Sequence, residues 1–198
     1  MHEPQDSPLD IGYRPLTPER WDDLQLLFGP RGACGGCWCM WWRLKRTDFD
    51  RQKGEVNREA LRTLVAAGQT LGILAYVDGV PVGWCGIAPR ETLPALDRSR
   101  ILERVDDRPV WSVNCFFVAR AYRRRGMTVG LLRAAIAYAA AQGAQIVEGY
   151  PVAPRSPTMP DVFAWTGMLS AFQQAGFVEV ARRSETRPIM RYAIPVKS

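Results

Sequence analysis

Residues 110–142 limit what this chain can fold into more than any other stretch. Residues 110–118 are a continuous β-branched and aromatic run, as a central strand covered on both faces requires. A basic loop follows. A helical pattern then runs over 127–142, with Val129, Leu132, Ile136 and Ala139 on one face and Gly143 to end it. The start of a helix presents N–H groups without acceptors and roughly half a positive charge, which together make an anion site. Gly126 lets the backbone approach a phosphate with no Cβ between them. Arg123, Arg124 and Arg125 add charge-assisted donors. Physics alone reads this segment as a diphosphate-binding turn and gives nothing finer.

The flanking patterns place that unit in a mixed α/β chain. Residues 11–16 read as a strand. Thr17 and Pro18 then open a helix whose stripe is Trp21, Leu24, Leu27 and Phe28. A second helix is expected over 57–67, with Leu61, Leu64 and Val65 inward. Strands over 71–77 and 80–88 are joined by Asp78-Gly79, a two-residue hairpin signal. A short helix is expected over 94–103, a strand over 146–150 and a helix over 163–175. Strands 177–183 and 188–193 close the chain as an antiparallel pair. The expectation is one domain over 11–195, preceded by a flexible tail over 1–10.

Composition narrows the class. A chain of 198 residues, 47% hydrophobic and 23% charged, suits one globular domain. No apolar run reaches the roughly 20 residues a membrane helix needs, and the start lacks the features of a secretory signal. A cytoplasmic protein with no membrane partner is expected. Of its 26 basic residues, against 20 acidic, three are lysine (Lys45, Lys53 and Lys197) and the rest arginine. The arginine bias runs along the whole chain, so only the local cluster over 120–125 is given a functional reading. Five cysteines, an odd number, are expected as reduced thiols.

The run from Phe116 through Phe117, Val118 and Arg123-Arg124-Arg125-Gly126-Met127-Thr128 resembles the acetyl-CoA motif of the GNAT (N-acetyltransferase) superfamily. In that motif a hydrophobic strand leads into Gln/Arg-x-x-Gly-x-Gly/Ala at a helix start. Arg123 falls on the first position and Gly126 on the glycine, while Thr128 stands where Gly or Ala is usual. The order of elements resembles the same fold over nearly the whole chain. The resemblance implies a single-domain α/β fold with a mixed, mostly antiparallel sheet flanked by helices, and a splayed central strand pair. It implies acetyl-CoA as co-substrate, with Phe116, Phe117 and Val118 along the pantetheine arm and Arg123 to Thr128 around the pyrophosphate. It further implies direct attack of an amine on the thioester, with a backbone donor on the central strand for the oxyanion. A small-molecule amine or a peptide is the implied acceptor, and homodimers are common for this fold.

Two family positions differ. Phe172 stands where a tyrosine acid often precedes a Gly-Phe pair, here Gly176-Phe177, and Trp165 stands where an asparagine is usual. Candidate bases are Glu148 and Tyr150, on one face of their strand, and Asp161 in the following loop. Against this, Glu148 can equally pair with one of the many arginines. Cys34, Cys37 and Cys39, followed by Trp41-Trp42, form a second unusual segment. Three thiols suggest zinc, but a structural site wants four ligands, and only His2, Cys85 and Cys115 remain to supply one, so no metal is expected. Trp38, Trp41 and Trp42 are instead candidates to wall an acceptor pocket, with a plain hydrophobic loop as the alternative. A GNAT-fold protein that binds CoA without catalysis, a metal-binding cysteine module and a nucleic-acid-binding module stay open. Nucleic acid is disfavoured because Tyr122 alone interleaves the basic run.

Overall fold

The computed structural model describes residues 10–69, 71–154 and 164–195. Seven strands form one sheet: β1 (Ile11–Pro15), β2 (Gly72–Val77), β3 (Val80–Pro89), β4 (Trp111–Val118), β5 (Ile146–Gly149), β6 (Val178–Arg182) and β7 (Pro188–Ala193). Their spatial order is β1-β2-β3-β4-β5-β7-β6. Asp78 and Gly79 both adopt positive φ, 50° and 78°, as the tight hairpin between β2 and β3 requires. Every neighbouring pair is antiparallel except β4 and β5, which run parallel. That parallel pairing spans only Trp111 to Val113 against Val147 to Gly149. Beyond Val113 the strand β4 continues to Val118 without β5 beside it, so the central pair is splayed as expected.

Helices cover both faces. On one, α4 (Met127–Ala141) packs Met127, Leu131, Leu132, Ala135 and Ala139 onto Ile73, Ala75, Val82, Cys85, Val113 and Val147. Of the expected face, Leu132 and Ala139 are buried, whereas Val129 and Ile136 are corrected by this packing. The buried line runs through 127, 131, 135 and 139, four residues apart, and Val129 and Ile136 sit at its margin. On the other face, α1 (Trp21–Phe28) and α3 (Glu55–Ala66) bury Leu24, Phe28, Leu61 and Val65 against Leu74 and Trp84. The short α5 (Leu169–Gln174) contributes Phe172 to the α4 side.

Three elements differ from the sequence reading. A helix α2 (Arg46–Gln52) was not expected, because Phe49 is its sole buried residue and no apolar stripe announces it. Surface pairs one turn apart, such as Arg46–Asp50 at 2.7 Å, accompany it instead. Residues 94–103 form no helix but a chain of turns. Amides of Leu93, Leu96, Ser99 and Leu102 each bond the carbonyl three residues back, and this three-residue step buries Leu93, Leu96 and Leu102. The helix expected over 163–175 begins only at Leu169, because Gly167, with φ at 85°, breaks it. Residues 1–9, Asp161 and Phe163 lie outside the described residues.

A bulge in β4 decides which side chains face where. Gly86 pairs with Cys115 and Ile87 with Val113, leaving Asn114 as the extra residue. It inverts the alternation: Val113 and Phe116 face α4, whereas Cys115 and Phe117 face α1 and the cysteine loop.

Candidate functional site

A cavity of about 950 Å³ opens where β4 leaves β5. That lies at the upper end of small-molecule sites, about 300–1,000 Å³. Its walls come from five segments: the edge of β4 (Cys115, Phe116, Phe117, Val118), the turn into α4, the cysteine loop, Phe49 and Lys53 of α2 and its end, and residues between Ala164 and Gln174. Of the residues expected to hold acetyl-CoA, Phe116, Phe117, Val118, Arg123, Arg124, Gly126, Met127 and Thr128 line it. Arg125 does not; it is exposed outside the wall.

The turn has the geometry an anion cradle needs. A short 3-10 turn, Arg120–Tyr122, ends β4's exit, and Arg123 Nε donates to the Val118 carbonyl at 3.0 Å. Arg124 and Gly126 both take positive φ, 62° and 72°, and Gly126 is the N-cap of α4. A Cβ on Gly126 would meet no protein atom, so the space above it is open to a ligand. The Gly126 carbonyl accepts from Val129 and Gly130, which leaves the first amides of the helix pointing outward. Thr128, the departure from Gly or Ala, places its side chain on the cavity wall.

The inner edge of β4 is already occupied. The Phe116 amide, expected along the pantetheine arm, donates to the Trp165 carbonyl at 2.6 Å. The Asn114 carbonyl accepts from the Trp42 indole at 2.9 Å. Trp42 and Trp165 lie against each other with centroids 5.5 Å apart. The two tryptophans thus brace the mouth of the wedge.

The cysteine loop contributes Cys34, Cys37, Cys39 and Trp41 to the cavity. Trp38, expected on a pocket wall, is instead buried between Trp21 and Phe28, with centroids at 6.1 and 5.6 Å. Trp42 is spent on Asn114 rather than on the wall. Only Trp41 of the three lines the cavity, with Arg46 stacked 4.4 Å over its ring. Ala33, Trp38 and Cys39 hold positive φ, which costs non-glycine residues on the order of 1–3 kcal/mol each. Among the described residues no group of three or more His, Cys, Asp or Glu side chains is placed to hold a metal ion.

The thiols differ sharply. Cys39 accepts from the Trp84 indole at 3.2 Å. Its pKa lies below the ordinary value because Cys115 donates a hydrogen bond to it, with further help from Trp84 and the charge of Arg43. As the donor in that bond, and then through burial, Cys115 is pushed well up. Burial, with the charge of Cys39 behind it, raises Cys37 to about 12.

Glu148 and Tyr150, the candidate bases, do not reach the cavity. Glu148 is 1% exposed. Its Oε1 accepts from Arg90 at 3.1 Å and Tyr150 at 2.7 Å, and its Oε2 from Arg191 at 2.7 Å. Tyr150 also contacts Ser112 at 2.8 Å and accepts from Arg90 at 2.6 Å. Burial first, then the Glu148 charge, drives the Tyr150 hydroxyl far above its usual pKa. Asp97 and Asp106 complete the network at its rim. Both side chains are fully engaged in structure, and the arginine-pairing alternative for Glu148 is the one observed. Phe172 is equally enclosed. Its ring packs on Phe116 and Phe177, and a Cβ on Gly149 would collide with it.

Sequence and fold comparisons agree with this geometry. Residues 38–154 match the model of the acetyltransferase (GNAT) family. A GNAT-family acetyltransferase from Listeria monocytogenes is similar in structure, with a TM-score of 0.59 and 10% identity over 94% of this chain and 96% of the other. The paia N-acetyltransferase of Thermoplasma acidophilum, solved in complex with coenzyme A, gives 0.52 and 14% over 94% and 100%. The protein yncA of Salmonella typhimurium, solved with its cofactor acetyl-CoA, gives 0.52 and 13% over 95% and 96%. No curated protein matches in sequence.

Proposed function

The chain belongs to the acetyltransferase (GNAT) family, and from that premise we propose that it moves the acetyl group of acetyl-CoA to the amine of a small molecule or peptide. The observation that carries this reading is the cavity at the splay, whose floor is the open, glycine-capped start of α4. Acetyl-CoA would lay its pyrophosphate on the first amides of α4, beside Arg123 and Arg124. The pantetheine arm would run along β4, taking over the Phe116 amide that Trp165 now occupies. Solved relatives hold coenzyme A and acetyl-CoA in the same fold, which supports this ligand.

The electrostatics suit an amine acceptor. Arg123, Arg124 and Lys53 line the cavity, and among the described residues no carboxylate does. Such surroundings disfavour the ammonium form and so favour the neutral amine that can attack a thioester. The leaving thiolate is a weak enough base to depart without the tyrosine acid that Phe172 replaces. No helix among the described residues is long and apolar enough to cross a membrane, consistent with a proposed cytoplasmic setting.

The test is release of CoA thiol from acetyl-CoA across a panel of amines and amino-terminal peptides. Amine-dependent release establishes the transferase. Acetyl-CoA binding without release by any amine would favour a CoA-binding protein that lacks catalysis.

A further inference from the structure

One part of the cavity wall belongs to the turn into α4, and another to rings and thiols. The order of residues along β4 decides which part of a bound acyl-CoA meets the second. With the pyrophosphate on the turn after Val118, an arm running back along the strand brings the thioester toward Phe116 and Cys115. The Asn114 bulge turns Cys115 and Phe117 toward the cysteine loop. The wall there consists of Trp41, Phe49 and Phe117, together with Cys37, Cys39 and Cys115. Phe49 is buried in the core cluster of Trp38 and Trp84, and the other five are half-buried against it, so this wall has a packed core behind it. Its rings are fixed edge to face: Trp41 meets Phe49 at 5.0 Å and 85°, and Phe117 meets Phe28 at 5.7 Å and 71°. Fixed rings of this kind suit a flat apolar guest.

The charges beside this wall are already paired. Arg46 lies 4.4 Å over the Trp41 ring and bonds Asp50 at 2.7 Å, and Lys53 bonds the same carboxylate at 2.8 Å. That arrangement disfavours an acceptor that would need these cations for a carboxylate of its own. Among the described lining residues no carboxylate is present to hold a second ammonium group. Carbon contact with the rings is what the wall offers.

We propose that the acceptor is a primary amine carried on an aromatic ring, with the ring seated among Trp41, Phe49 and Phe117 and the amino group turned to the thioester. The inference deepens the transferase reading and rests on it. The neutral nitrogen attacks the thioester carbonyl, the C–N bond forms, the C–S bond breaks, and CoA leaves as its thiolate. The proton lost by nitrogen ends on that thiolate or on water. Burying the guest favours binding in proportion to its apolar area. Ring-to-ring contact adds a contribution that an alkyl chain of the same area does not receive. Trp41 is the specificity-determining residue, because it alone of Trp38, Trp41 and Trp42 lines the cavity.

The test is steady-state release of CoA thiol by the unmodified chain, with phenethylamine and tryptamine set against hexylamine, putrescine and glutamate. Per neutral amine, the aromatic pair should give a kcat/KM about tenfold or more above hexylamine, with putrescine and glutamate lower still. Trp41→Ala should raise KM for the aromatic amines about tenfold and remove their advantage over hexylamine, while keeping the thermal shift by acetyl-CoA. Hexylamine, putrescine or glutamate used as well as the aromatic pair overturns the proposal and leaves the transferase reading standing. An aromatic preference that survives in Trp41→Ala overturns it too. A chain that shifts with acetyl-CoA yet releases thiol to no amine removes the transferase reading and this one together. The wild-type panel needs no variant, so a Trp41→Ala protein that fails to fold does not shield the proposal.

Discussion

Two polar clusters lie along the same central pair of strands, and they are opposites. Where β4 and β5 are paired, Glu148 is enclosed by Arg90, Arg191 and Tyr150, with every charge answered by a partner. Where the strands part, Arg123, Arg124 and four thiols line a cavity with no carboxylate among the described residues of the wall. A closed sheet excludes water, so buried charge there must be neutralised within the protein. An open edge that runs into the start of a helix leaves the first helical amides for a ligand to satisfy. Charge at the paired end therefore reads as structure, and charge at the splayed end as a ligand site.

The sharpest way to break this comparison is at Glu148. Glu148→Gln removes the buried anion that two guanidinium groups share, leaving Arg90 with Asp97 and Arg191 with Asp106 at the rim, and a broken buried pair of this kind costs about 3–5 kcal/mol. In a chain this size that lowers the melting temperature by on the order of 10 °C. Thermal denaturation checks it, and a normal melting temperature with lost turnover would restore Glu148 as a base. At the other end, Arg123→Glu should leave the melting temperature nearly unchanged. It should remove the stabilisation by acetyl-CoA, about 2.7 kcal/mol for wild type at a hundred times its Kd, as read by ligand-dependent melting. Gly126→Ala forces a Cβ into a left-handed conformation, for about 1–2 kcal/mol of stability by chemical denaturation. It should also weaken acetyl-CoA binding, because that Cβ points into the open cradle.

The smallest effect expected is pH-dependent. Arg191 holds the Asp106 carboxyl well below the usual carboxylate range in the folded chain. A depressed folded pKa contributes stability above the unfolded value, about 3.9, and that contribution is lost as pH falls through the folded one. Asp106→Asn should therefore be less stable than wild type at neutral pH. The gap should begin to close below about pH 4 in matched denaturation curves. A gap that ignores pH would mean the pair contributes no net charge interaction.

Local signals were legible in sequence, and distant pairings were not. The Asp78-Gly79 hairpin, the long apolar β4 and the glycine-capped start of α4 are written in neighbouring residues, and each was found in place. Glu148 meets Arg90 from 58 residues away and Arg191 from 43, and in a chain so rich in arginine no spacing marks those two. The same limit hid the burial of Trp38 beneath Trp21 and Phe28, which the loop's composition made look like a pocket wall. The face of α4 was half legible: Leu132 and Ala139 are buried as expected, but Val129 and Ile136 are apolar enough to extend the stripe, whereas packing on the sheet buries Leu131 and Ala135. Cys39 and Cys115, 76 positions apart by their residue numbers, share a cavity wall because the β4 bulge turns Cys115 toward the cysteine loop.

The central claim is that ligand binding belongs to the splayed end and structural charge to the paired end. Thermal melting of wild type, Arg123→Glu and Glu148→Gln across a titration of acetyl-CoA tests it most directly. Wild type should melt higher as ligand rises. Arg123→Glu should start at the same temperature and not move, and Glu148→Gln should start much lower yet rise with ligand in parallel. A Glu148→Gln protein that starts at the wild-type temperature, or an Arg123→Glu protein that still rises, would contradict the account.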